Sequence, residues 1–103
     1  MADSHPRVLT LSRKELLVLD LLRQQDLYGL QLVAASAGRL KRGTVYVTLG
    51  RMEDKGYITS KLEAAPSGAG GLPRRIYAAT PLGRRMFAAW TSGAKQLVPE
   101  VGR

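Results

Sequence analysis

"RGTVYVTLGRMEDKGYI", residues 42–58, is a stretch whose two ends disagree about secondary structure. Gly43 and Thr44 are poor helix formers, and Val45, Tyr46 and Val47 are β-branched or aromatic residues that favour strands. The second half reads as the last turns of a helix, with Lys55 where the helix dipole favours a cation and Gly56 as the stop. Hydrophobic spacing decides for helix: Val45, Leu49 and Met52 fall at i, i+4 and i+7, one face of a 3.6-residue period. Burial of Val45 outweighs a propensity cost of about half a kcal/mol. The opposite face carries Gly43, Thr44, Val47, Gly50, Arg51 and Asp54, with Thr48 and Lys55 at one edge and Tyr46 bordering the buried side. It is a non-bulky, hydroxyl-rich front for a helix.

Working outward, Ser12 and Glu15 form a capping box for "RKELLVLDLLRQQ" (13–25). Arg13, Asp20 and Gln24 share one narrow face of that helix, and leucines and Val18 occupy nearly all the rest. A surface helix needs only about a 100° apolar stripe, so this one is expected to meet both its own core and a second chain. "DLYGLQLVAASAG" (26–38) reads as a second helix, with Leu30, Val33, Ala34 and Ala37 inward and Gly38 as a left-handed stop. "GRLK" joins it to the third helix.

Downstream, "YITSKLEA" (57–64) alternates as a strand: Ile58, Ser60 and Leu62 on one face, Thr59, Lys61 and Glu63 on the other. "APSGAGGLP" is turn-rich, and "RRIYAA" (74–79) returns as a second strand, which makes an antiparallel hairpin. Thr80 caps a last helix that begins with Pro81. Leu82, Met86, Ala89, Trp90 and Leu97 line one side of it.

The chain therefore reads as one domain of mainly α (α+β) class: a winged helix-turn-helix with three helices, a two-stranded wing hairpin and a C-terminal dimerisation helix. The expected parts are a flexible arm at 1–11, the winged-helix unit at 12–80, the dimerisation helix at 81–97 and a tail at 98–103. The expected dimer contacts are Leu17, Leu21, Leu82, Met86, Ala89, Trp90 and Leu97. Trp90 is also the candidate for stacking a flat ligand, although packing is the commoner role for such a residue.

Composition sets the partner. Sixteen Lys and Arg against 8 Asp and Glu give a net charge of +8 in 103 residues. So positive a field points to a polyanion, most often nucleic acid. Cysteine is absent, which excludes disulfides and thiolate metal sites. No apolar run is long enough to span a bilayer, and no signal peptide is visible, so a cytoplasmic protein is expected. With one histidine and scattered carboxylates, neither a catalytic constellation nor a metal set can be assembled, and no enzyme and no cofactor is expected. "SGAGG" lacks the Lys-Ser/Thr ending of a phosphate loop and reads as the wing tip.

A helix that enters the DNA major groove needs a non-bulky outer face carrying hydroxyls and cations for phosphates and base edges. The third helix fits. Its start, Gly43 and Thr44, suits phosphate contact through backbone N–H groups, and Arg51 suits bidentate pairing with guanine. The expected DNA contacts are Lys41, Arg42, Gly43, Thr44, Tyr46, Val47, Thr48 and Arg51, with Lys61, Arg74 and Arg75 of the wing on phosphate. The alternative is a winged helix that binds protein or RNA. It is disfavoured by the lack of large exposed apolar residues on the third helix and of an aromatic platform on the hairpin.

"YGLQL" at 28–32, the stretch at 42–58 and "RRIYAATPLGRR" at 74–85 together resemble the PadR family of bacterial transcriptional regulators. The matching residues are Tyr28 and Gly29; Gly43, Thr44, Tyr46, Leu49, Arg51, Glu53, Gly56 and Ile58; and Arg75, Tyr77, Thr80 and Gly83. Val47 stands where the family usually has proline, and Lys41 where a capping serine is common. The resemblance implies a homodimer on a palindromic operator in double-stranded DNA, usually a repressor, often relieved by a small aromatic effector.

Overall fold

The computed structural model describes residues 10–64 and 72–101, the part from 93 onward as backbone only. The expected wing tip, most of the arm and the end of the tail lie outside these residues, as does the side chain of Leu97.

α1 (Arg13–Leu22) starts as the sequence predicts. Ser12 Oγ accepts from the Glu15 N–H (3.1 Å), and Glu15 Oε1 accepts from the Ser12 N–H (2.9 Å). Val18, Leu19 and Leu22 are buried, while Leu16, Leu17 and Leu21 are partly covered against the same core. Two residues of the expected arm are already anchored: Leu11 is in the core, and the Thr10 carbonyl accepts from the Tyr57 hydroxyl at 3.0 Å.

The second helix is shorter than expected and faces differently. Leu27–Tyr28 is a strand, β1, and α2 spans Gly29–Ala35. Leu30, Ala34 and Ala37 are exposed and Val33 is half-buried; the buried positions are Gly29, Leu32 and Ser36. The stripe inferred from apolar spacing is thus rotated toward Leu32 and Ser36. It stops after Ala35, where Ala37 (φ 56°) joins Gly38 (φ 85°) in the left-handed region. Ser36 governs the turn: its hydroxyl donates to the Val33 carbonyl (2.8 Å) and accepts from the Leu40 N–H (2.9 Å). Leu40 thereby drops into the core and ties down the connection to α3.

α3 (Val45–Asp54) buries Val45, Leu49 and Met52, and Gly56 ends it at φ 82°. Each such side chain contributes about 1.5–3 kcal/mol by leaving water. β2 (Ile58–Glu63) and β3 (Arg74–Ala79) pair antiparallel from Ile58↔Ala79 to Glu63↔Arg74. The expected hairpin is therefore present, and β1 adds a third strand to the other edge of β3, with Leu27 opposite Tyr77. On the β2 face that carries Ile58, Ser60 and Leu62, Ile58 is buried, Ser60 half-buried and Leu62 exposed.

α4 (Pro81–Val101) is locked to the end of α3. The Thr80 hydroxyl caps the Gly83 N–H (3.0 Å) while donating to the Gly56 carbonyl (2.6 Å), and the Thr80 N–H donates to the Tyr57 carbonyl (3.0 Å). Gly83 lies so close that a Cβ would collide with the Tyr57 carbonyl oxygen. Among the described residues no helix is long and apolar enough to cross a membrane.

Candidate nucleic-acid interface

The outer face of α3 lies open. Tyr46 is 51% and Val47 56% exposed, so the expectation that this helix shows no large exposed apolar residue does not hold; Gly43, Thr44, Gly50, Arg51 and Asp54 are exposed too. Thr48, at the edge, is half-buried. The helix start departs from expectation. The amides of Thr44 and Val45 both donate to the Lys41 carbonyl (3.1 and 2.9 Å), so the turn consumes helix-start groups that would otherwise face an anion. Thr44 offers its hydroxyl instead, which makes no cap bond. Lys41 and Arg42 are exposed in that turn.

α3 stands as a ridge between two clefts. On one flank a space of about 300 Å³ is bordered by Tyr28, Gly29, Leu30, Tyr46, Arg74 and Arg75. The Tyr46 ring lies across Gly29, where a Cβ would sit 2.5 Å from its ring carbon. This proximity gives the Tyr28-Gly29 pair and Tyr46 a common physical reason: a side chain at position 29 would displace the Tyr46 ring from this place. On the other flank a wider space, about 430 Å³, is bordered by the first turn of α1 and by Thr44, Val47, Thr48 and Arg51. Two of its α1 residues, Arg13 and Lys14, are not among the DNA contacts expected from the sequence.

The base of the wing is held by polar contacts. The Tyr28 hydroxyl donates to Glu63 Oε1 at 2.5 Å, and the Arg74 guanidinium lies 4.2 Å above the Tyr28 ring. The Glu63 carboxylate, accepting that proton, is the main cause that raises the Tyr28 phenol above its ordinary pKa. Arg75 Nη1 donates to Ser60 Oγ (3.2 Å), and Ser60 donates to Glu53 of α3 (2.7 Å). Lys61 is exposed on β2, opposite Ile76. Among the described residues the ion pairs are Arg23 with Asp20 and Lys55 with Glu15. Within that set, Lys41, Arg42, Arg51, Lys61, Arg74 and Arg75, which belong to α3, the turn before it or the wing, have no carboxylate partner, and neither do Arg13, Lys14, Arg39, Arg84 and Arg85. Among the described residues no cluster of metal-ligating side chains occurs.

The expected dimer residues divide. Leu17, Leu21, Leu82 and Met86 are half-buried against the protomer's own core. Ala89 is exposed and Trp90 is 42% exposed on α4. Phe87, not anticipated, packs on the core with Arg23 stacked 4.9 Å from its ring. Its signal was its place one residue beyond Met86, on a helix that meets α1 and the core at once.

An exposed third helix, carried on two others and flanked by an antiparallel hairpin, defines a winged helix-turn-helix protein. Within that class, the chain belongs to the PadR-like family of transcriptional regulators, whose family model matches residues 18–89. It is a family of regulators, not of enzymes. Solved structures agree. A PadR family transcription regulator from Clostridium difficile is 27% identical, with a TM-score of 0.68 over 84% of this chain and 90% of that one. One from Eggerthella lenta is 29% identical, with a TM-score of 0.68 over 84% and 76%. Bacillus subtilis PadR, solved in complex with operator DNA, shares the fold at 22% identity and a TM-score of 0.66, over 74% of this chain and 45% of its own. No curated protein matches the chain at a significant level.

Proposed function

We propose that the protein is a sequence-specific DNA-binding repressor that acts as a homodimer on a palindromic operator. The observation that carries this reading is the open outer face of α3, which presents the hydroxyls of Thr44 and Tyr46 together with Arg51, with unpaired cations of the turn and the wing on its flank. In this reading α3 enters the major groove. Arg51 pairs with a guanine edge, and Thr44 and Thr48 present hydroxyls to bases or phosphate. The Val47 methyl groups suit the methyl of a thymine. Lys41, Arg42, Lys61, Arg74 and Arg75 neutralise phosphates and set the register without reading sequence. The Bacillus subtilis relative, which shares the fold and was solved on operator DNA, supports the choice of partner.

The homodimer rests on the leucine-rich outer side of α1 and on α4, where Leu17, Leu21, Ala89 and Trp90 retain exposed surface. Trp90 is then the group on which a flat aromatic effector would stack to relieve repression.

Selection of bound fragments from random duplex DNA tests the reading. The expected product is a palindrome with half-sites about one helical turn apart, bound with a steep dependence on salt. Recovery of no common sequence, or equal competition by single-stranded RNA, would overturn it.

A further inference from the structure

We infer that the cleft between α1 and α3 seats the sugar–phosphate backbone of one DNA strand, gripped by Arg13 and Lys14, while the wing-side cleft takes the other strand. This rests on the reading above that α3 enters the major groove.

A helix about 10–12 Å across fills a major groove about 12 Å wide, so the two strands that wall the groove must lie on the two flanks of the helix. α3 has a cleft on each flank. The wing-side cleft carries Arg74 and Arg75. The α1-side cleft carries Arg13 and Lys14 on one wall and Thr44, Thr48 and Arg51 on the other. A strand lying there would meet cations and hydroxyls from both sides.

The α1-side cleft contains one acid, Glu15, which would repel a phosphate if it were free. It is not free. Lys55 Nζ sits 2.8 and 3.0 Å from its two carboxylate oxygens, the Ser12 N–H donates to it, and the residue is only 4% exposed. Arg13, Lys14 and Arg51 are exposed and have no carboxylate partner among the described residues. The cleft is cationic because its acid is spent inside the fold.

The test uses the full chain with two probes: the duplex recovered by selection and a random-sequence duplex of equal length. Arg13→Gln/Lys14→Gln should lower the slope of log affinity against log salt by about 1.8 for each bound protomer, at about 0.9 for each phosphate no longer neutralised. It should lower it equally on both probes, so the ratio of their affinities stays at the wild-type value. Lys14→Gln alone should give about half that drop. Arg51→Ala, by contrast, should collapse the ratio. Both α1 side chains are exposed, so the unfolding midpoint should not move. A wild-type chain that binds neither probe overturns the parent reading and this one together. A wild type that binds, with an unchanged slope in the folded double variant, overturns this inference alone.

Discussion

The two sides of α3 belong to one short helix and obey opposite rules. Val45, Leu49 and Met52 are at most 1% exposed, whereas Tyr46, Val47 and Arg51, interleaved with them, stand in solvent. The inner side is chosen by volume, because a packed interior tolerates neither a hole nor an extra methylene. The outer side is chosen by what it presents: hydroxyls, and a cation with no carboxylate partner among the described residues. A change on the inner side should therefore alter stability, and a change on the outer side should alter DNA binding and leave stability alone.

Four substitutions test that contrast. Leu49→Ala should have the largest effect, a loss of about 2–5 kcal/mol in denaturant unfolding, since it opens a cavity among fully buried neighbours. A loss as small as a surface substitution's would mean that the helix is not pinned on this side. Gly83→Ala should cost about 1–3 kcal/mol, because the new Cβ meets the Tyr57 carbonyl and pushes α4 away from the end of α3; thermal unfolding measures it. On the outer side, Arg51→Ala should weaken operator binding by about 1–3 kcal/mol and relax specificity. Its unfolding free energy should stay within about 0.5 kcal/mol of wild type, and a larger shift would place Arg51 among the structural residues.

The smallest effect concerns Tyr57, which is fully buried just after α3 and donates to Thr10. Burial raises its phenol above the ordinary value of 10.0. A folded pKa above the unfolded one means that the native state holds the proton more tightly, so this stability is complete below about pH 10 and declines as pH rises through the folded value. Tyr57→Phe should cost about 1 kcal/mol at neutral pH, the net worth of a typical hydrogen bond, and should flatten the alkaline limb of the stability curve. An alkaline limb of wild-type steepness in the variant would assign the titration to Tyr28 or Tyr77, which are raised as well.

Much of the architecture is legible in the sequence because its signals are local. The Ser12–Glu15 box, the Val45-Leu49-Met52 spacing, the strand alternation after Gly56 and the Thr80-Pro81 start each depend on a few neighbouring residues. The second helix misleads for the converse reason. "DLYGLQLVAASAG" has helix-forming composition throughout, and nothing local reveals that Leu27 and Tyr28 are taken by the distant strand β3. Nor does apolar spacing reveal that the buried face is Leu32 and Ser36 rather than Leu30 and Ala34. The candidate interface shows the same division. Arg51 and the wing arginines are visible as charges in motifs, whereas Arg13 and Lys14 gain interest only when α1 is seen beside α3.

By itself, the order of residues determined where α1 and α4 begin, where α3 ends, which face of α3 is apolar and that the whole carries an excess of positive charge. Periodicity, capping and composition act over a few residues or sum over all of them, so they need no knowledge of the fold. Only the tertiary structure decided that β1 joins the sheet, that Gly29 lies beneath Tyr46 and that Lys55 neutralises Glu15 from the far end of α3. Contacts between distant segments depend on how finished elements pack, and packing is a property of shapes in space rather than of neighbours along the chain.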